Sequence, residues 1–231
     1  MSFTLGVDVG GTFTDIFLVD DSNGDVHTAK VPSTPEDSSI GVLNGIEKVC
    51  RQSGVELKSI SHVMHGTTVA TNTILTGSGA RVGMVTTSGY RQVLQIARSF
   101  VPGGLGGWVI YNKSEPLAPL ELTIEAEERV GADGAVVTPL NEEKLKSDLA
   151  TLASRNIEAL TVCLINSFAN SEHEQRIRAL AEAVIPDIPV SLSSDVIPEM
   201  QEYERAITTV ANSYVRPRVQ AYVENLTREL S

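Results

Sequence analysis

The sequence predicts an α/β protein: a mixed sheet with helices, then a second α/β block, then a long C-terminal helix. Three observations carry this. Apolar residues alternate with period two over the first thirty residues, strand-like and helix-like segments then follow one another to about residue 193, and a sustained helical pattern closes the chain.

Each element follows from its local pattern. Phe3, Leu5, Val7 and Val9 alternate, so a first strand buries one face and carries Asp8 to its end. Gly10-Gly11 reverses the chain in a tight turn expected to use positive φ, and a second strand runs from Phe13 to Val19. Ser22-Asn23-Gly24-Asp25 is a turn, and Val26 to Val31 a third antiparallel strand. Thr34 is the expected N-cap of the first helix, with Pro35 at its first position and Asp37 completing a capping-box-like pair. Ile40, Leu43, Ile46, Val49 and Cys50 recur at helical spacing, and Gly54 suits the stop. Ser61 to His65 reads as a short strand ending at Gly66, Thr67 to Leu75 as a helix, Arg81 to Thr87 as a buried strand, and Tyr90 to Arg98 as a helix.

Residues 99–120 break the pattern with four glycines around Trp108, and read either as a linker or as a lid over a substrate. Beyond them Leu122 to Val130 is expected to pair with Ala135 to Thr138. A helix spans Glu142 to Ser154, and Ala159 to Ile165 is an apolar strand. Ser171 and Glu174 form an expected capping box for the next helix, and Val190 to Ser193 is a last strand. The helical pattern from about Pro198 to the end contains Pro217, which should kink or divide it. The expected organisation is a first domain over 1–98, a Gly-rich loop over 99–120, and a second α/β subdomain over 121–231.

Bulk properties narrow the function classes. The 231 residues are 42% hydrophobic and 20% charged, which is ordinary for a globular chain with room for one large or two modest domains. A net charge of −11 argues against non-specific binding to nucleic acid or to an anionic membrane. Cys50 and Cys163 lie in apolar periodic segments, as buried free thiols of a reducing compartment do. No run approaches membrane-spanning length, so the expected location is cytoplasmic. His62 and His65 lie three apart on a strand and face opposite ways, which does not make a metal site.

The chemistry is concentrated in Gly6-Val7-Asp8-Val9-Gly10-Gly11-Thr12-Phe13-Thr14-Asp15. Successive N–H groups in a glycine turn make a concave anion site, Thr12 and Thr14 add hydroxyls, and a flanking carboxylate can hold a cation. The alternative is a plain hairpin with a Gly-Gly turn. No Gly-Lys-Ser/Thr follows, so this is not a Walker A loop, and no Gly-x-Gly-x-x-Gly precedes a helix.

This hairpin resembles the first phosphate loop of the actin, Hsp70 and sugar-kinase superfamily. Three antiparallel strands and a helix likewise resemble the first half of the ribonuclease-H-like unit from which that superfamily is built. Further segments make the likeness specific. His65-Gly66-Thr67-Thr68-Val69-Ala70-Thr71-Asn72, Gly79-Ala80-Arg81-Val82-Gly83, Asn166-Ser167-Phe168 with His173-Glu174, Ser193-Ser194-Asp195 through Glu199, Glu202-Tyr203-Glu204-Arg205 and Thr208-Thr209-Val210-Ala211-Asn212 are similar to blocks of the hydantoinase A / 5-oxoprolinase family. That family includes subunits of acetone- and acetophenone-type carboxylases. The stretch around Trp108 departs from its usual Arg- and Pro-rich sequence, and the chain is far shorter than family members. The expectation is a piece of a longer protein or a split subunit.

The resemblance implies ATP-dependent activation of a cyclic amide such as a hydantoin or 5-oxoproline, with ATP and Mg²⁺ as cofactors. Gly10, Gly11, Thr12 and Thr14 are then phosphate contacts. Asp8 is the Mg²⁺ holder and a catalytic residue; Asp15 is either a second group on that cation or a turn cap. Thr67 and Thr68 either contact the γ-phosphate or substrate, or cap a helix. His65, Asn72 and Arg98 are the expected substrate contacts, with a core role the other reading of His65. Glu202, Glu204 and Arg205 are either part of a site or a solvated helix patch. The implied partners are nucleotide, a small cyclic amide, a second hydantoinase B-like subunit and a missing C-terminal half. A non-catalytic assembly module is the alternative reading, and a sugar- or acyl-kinase-like enzyme the third.

Overall fold

A computed structural model describes residues 2–34, 37–98 and 114–230. Pro35 and the Trp108 stretch lie outside the described residues. The chain divides into two compact units, Met1–Ser78 with Arg218–Ser231, and Gly79–Pro217. The division falls at Gly79 rather than after residue 98, because the strand that follows Gly79 pairs with strands of the second unit.

The first unit contains Phe3–Val9 (β1), Phe13–Asp20 (β2), Val26–Pro32 (β3), Ser38–Ser53 (α1), Ile60–Thr67 (β4) and Val69–Thr76 (α2). Its sheet has the order β3-β2-β1-β4, antiparallel from β3 to β1 and parallel between β1 and β4. Alternation puts Phe3, Leu5, Val7, Val9, Ile16 and Leu18 on one face, where they form the core with Val42, Ile46 and Val49 of α1. Asp8, Asp15 and Phe17 lie on the other face, where Asp8 pairs across to Asp15 and Asp15 to Lys30. β4 is longer than expected because its register with β1 holds as far as Val9 opposite Thr67.

Helix α1 departs from the expected pattern at both its cap and its face. Its N-cap is Asp37, whose Oδ1 accepts from the Ser39 amide at 3.0 Å. Thr34 instead donates its hydroxyl to the Asp37 carbonyl and accepts from the Gly41 amide. The buried face is Gly41, Val42, Gly45, Ile46 and Val49, while Ile40 is exposed. Small residues win this face because the helix lies too close to β2 for larger ones. A Cβ on Gly45 would stand 2.5 Å from Cγ1 of Ile16.

The two sheet edges are unlike. β3 carries Lys30 and Pro32, both of which discourage further pairing, whereas β4 has neither charge nor proline and is exposed from Ser61 to Thr67.

The second unit contains Val82–Thr87 (β5), Val93–Ile96 (α3), Thr123–Ala126 (β6), Arg129–Val130 (β7), Val136–Thr138 (β8), Glu142–Ala153 (α4), Ala159–Cys163 (β9), Glu172–Val184 (α5), Val190–Leu192 (β10) and Ser193–Val196 (α6). The last helix, Glu202–Leu230 (α7), belongs to this unit up to Pro217 and to the first from Arg218. The main sheet is parallel, in the order β10-β9-β5-β6. Leu145, Leu149, Leu152, Ile177 and Leu180 pack from α4 and α5 onto it.

The strand expected over 122–130 is split, because Glu128 turns inward to bond Thr87 and His173, leaving β6 in the main sheet and β7 to pair with β8. Ser171 makes no side-chain cap, and its expected partner Glu174 is wholly buried, accepting from the amides of Leu164 and Ser194 and from the Ser193 hydroxyl. The helix expected from Tyr90 to Arg98 is the single turn α3, ended by Ala97 at φ 51. Pro217 does not divide α7, although the unit boundary falls there. Among the described residues no helix is long and apolar enough to cross a membrane.

Candidate phosphate hairpin

The β1–β2 turn is held from two sides. Gly10 N–H donates to the Phe13 carbonyl at 3.0 Å and closes the turn. From the segment after β3, Ser33 N–H donates to the Thr12 carbonyl at 2.9 Å and its hydroxyl to the Gly10 carbonyl at 2.8 Å. From the start of α2, the amide and hydroxyl of Thr68 both donate to the Val9 carbonyl at 3.1 Å, and Asn72 Nδ2 donates to Thr68 Oγ1 at 3.1 Å.

Every carbonyl from Val9 to Thr12 except that of Gly11 thus has a named donor. The amides of Gly11 and Thr12 have no acceptor among the described residues, and both residues are exposed. Two adjacent free N–H groups in an exposed turn are what an anion needs.

The glycine pair works differently from the expectation. Neither Gly10 nor Gly11 adopts positive φ. The constraint is space: a Cβ would lie 3.0 Å from the Phe13 carbonyl oxygen at Gly10 and 3.2 Å from Asn72 Nδ2 at Gly11.

Asp8 stands beside this turn on the outer face of the sheet. Its carboxylate has no hydrogen bond or ion pair among the described residues, and it is exposed. A shallow groove of about 380 Å³ runs past it, lined by Gly6–Asp8 of β1, Phe17 of β2 and Met64–Gly66 of β4. Gly6 precedes Asp8 on the same face of β1 and Gly66 stands opposite it on β4, so neither position adds a side chain beside the carboxylate.

The other expected residues are distributed unevenly. Asp15 is engaged by Lys30, whose Nζ lies 2.8 and 2.9 Å from its two oxygens and 5.2 Å from the Phe13 ring centroid. Thr14 is fully buried with its hydroxyl 3.0 Å from that of Ser33, so it supports the turn and offers no surface to a ligand. Thr67 is exposed and its Oγ1 accepts from Val69 N–H at 3.1 Å. His65 stands opposite Val7 at the exposed edge of the sheet, where its Nε2 lies 2.6 Å from the Tyr222 hydroxyl that partly covers it. Burial depresses the His65 pKa below its usual 6.5, with Asp8 pulling weakly the other way, and burial pushes the Tyr222 hydroxyl up to about 12. Arg98 belongs to the second unit and pairs with Glu204, holding that carboxylate below its usual range. Arg205 is buried, donating to Ser167 Oγ at 3.1 Å and to the Leu164 carbonyl at 2.6 Å, which places it in the interior rather than in a solvated patch.

Ser33 went unmarked in the sequence reading. The signal that finds it is strand register: Phe13 opposite Pro32 brings the next residue level with Thr12.

A magnesium-bound polyphosphate suits these residues. Two free amides and an unpaired carboxylate beside the glycine turn would offer it phosphate donors and an oxygen ligand for a hard cation.

Comparisons with known proteins identify the family. The pattern that defines the hydantoinase/oxoprolinase N-terminal region matches residues 4–185. The caprolactamase subunit alpha of Pseudomonas jessenii is 31% identical over 97% of this chain and 33% of its own length. The acetophenone carboxylase gamma subunit of Aromatoleum aromaticum is 34% identical over 94% of this chain and 31% of its own. The crystal structure of the ATP-dependent caprolactamase from Pseudomonas jessenii superposes with a TM-score of 0.88 at 30% identity, covering 98% of this chain and 33% of that one. The nucleotide-free structure of acetone carboxylase shares the fold, with a TM-score of 0.88 at 24% identity over 99% of this chain and 34% of that one. The chain spans about a third of the length of these relatives, and it belongs to the hydantoinase/oxoprolinase N-terminal family.

Proposed function

We propose that the Val9–Phe13 hairpin binds the phosphates of MgATP, as the N-terminal part of a subunit that activates a cyclic amide for ring opening. The observation that carries this is the pair of free amides at Gly11 and Thr12 beside the unpartnered carboxylate of Asp8. Gly11 and Thr12 N–H donate to phosphate oxygens, and Asp8 holds Mg²⁺ directly or through water. Asn72 backs the turn, and Thr68 fixes the strand end below it.

A lactam carbonyl is a poor electrophile. When bound, MgATP supplies a phosphoryl group that turns the amide oxygen into a leaving group. The chain's own task is positioning and charge neutralisation. The cyclic amide follows the solved ATP-dependent caprolactamase, 30% identical over 98% of this chain; a ketone, as in the name of the 34% identical acetophenone carboxylase gamma subunit, is the second reading. Further family subunits and the family's remaining length complete the assembly, as the subunit names of the relatives suggest.

Calorimetric titration with MgADP tests the site. Binding by the wild-type chain that is lost in Asp8→Ala, with folding retained, supports it. Undiminished binding in Asp8→Ala removes the assignment.

A further inference from the structure

We propose that Ser33 is the positioning residue of this hairpin: its hydroxyl holds the Gly10–Gly11 peptide in the orientation that presents Gly11 N–H to a ligand. The inference rests on reading the hairpin as a phosphate site, and it concerns what aims that site.

A trans peptide is planar, so its C=O and N–H point in opposite directions. The Gly10 carbonyl receives the Ser33 hydroxyl at 2.8 Å on the protein side. The N–H of the same peptide, that of Gly11, therefore points to the open side. Glycine flanks this peptide on both sides, so no Cβ resists rotation of the plane. The neighbouring carbonyls are held by backbone donors: Val9 by Thr68 N–H, and Thr12 by Ser33 N–H. Among the described residues the Gly10 carbonyl alone of these three depends on a side-chain hydroxyl without a backbone donor.

Ser33 Oγ is itself placed, 3.0 Å from the buried hydroxyl of Thr14. Thr14 in turn is crowded by α1, since a Cβ on Gly41 would lie 3.3 Å from Thr14 Oγ1. The backbone bond from Ser33 to Thr12 survives removal of the hydroxyl. Ser33→Ala therefore frees one peptide plane and leaves the strand pairing in place.

The test is an NMR titration of ¹⁵N-labelled chain with tripolyphosphate in the presence of Mg²⁺, a probe that needs no adenine site. In the wild type the Gly11 and Thr12 amide resonances shift on binding. Loss of one hydrogen bond predicts binding about fivefold weaker in Ser33→Ala, with the ligand-free Gly11 resonance broadened by exchange between orientations. Ser33→Thr retains wild-type affinity. Ser33→Cys, near-isosteric with a weak donor, reproduces the loss should the alanine variant prove unstable.

Wild-type affinity and a sharp Gly11 resonance in Ser33→Ala overturn the inference while leaving the phosphate site standing. A Ser33→Thr variant as weak as Ser33→Ala overturns it too, because the hydroxyl is then not the cause. If neither Gly11 nor Thr12 shifts in the wild type, the phosphate reading falls and the inference with it.

Discussion

Gly45→Ala sets two effects of known sign against each other at the seam between α1 and β2. Alanine in a helix interior is favoured over glycine by about 1 kcal/mol. Against this, the added Cβ would lie 2.5 Å from Ile16 Cγ1 and 2.8 Å from its Cδ1, closer than Cβ atoms come to neighbours. Ile16 is fully buried and β-branched, so its side chain cannot rotate away without a new clash. Overpacking of this kind costs about 1–3 kcal/mol, which leaves a net loss of about 1 kcal/mol. The assay is amide hydrogen exchange at β1 and β2, which reports the first unit by itself. Asn44→Ala, exposed on the same helix, should stay within about 0.5 kcal/mol of wild type. In an Ile16→Val background the Gly45→Ala cost should shrink, because one of the two clashing atoms is gone. A Gly45→Ala chain stabilised by the whole helix-propensity gain would refute the close packing of α1 on β2.

His65 is depressed below 6.5 by burial, so its stabilising contribution is complete above that pH and is lost as pH falls towards its folded-state value. Between about pH 7.5 and about pH 5 the stability of the first unit should therefore fall more steeply in wild type than in His65→Gln, and parallel slopes would refute this. Cys163 is 3% exposed and burial pushes its thiol up to about 11. At about pH 8 a thiol reagent should modify Cys50 alone in the native chain and both cysteines after unfolding, whereas two native equivalents would contradict the burial.

The first unit was legible because its patterns are local. Alternation at Phe3, Leu5, Val7 and Val9 and the turns around Gly10 and Asn23 dictate register, and register dictates that Asp8, Asp15 and Lys30 form a row. What failed depended on distant partners. Glu174 has a capping-box position, yet three donors from other segments outbid the cap. Glu128 interrupts an apolar run because Thr87 and His173 reward its burial. Gly10 and Gly11 were identified for a conformation they do not adopt, their real constraint being the Phe13 carbonyl and Asn72, which lies far along the sequence. In the candidate site, the turn and Asp8 are readable from their motif. Ser33 and the Thr68–Asn72 support emerge only once strands are paired.

The buried carboxylate of Glu174 has a further consequence for how the second unit opens. One side chain on α5 accepts from the turn after β9 and from the start of α6. Neither segment can leave on its own without leaving a buried carboxylate oxygen short of its donor, which costs more than the bond itself contributes. Thermal fluctuation of this region is therefore all-or-none. The amides of Leu164 and Ser194 should exchange with solvent at one common rate, as a single cooperative unit stitched together by four atoms' reach of glutamate rather than by continuity of the chain.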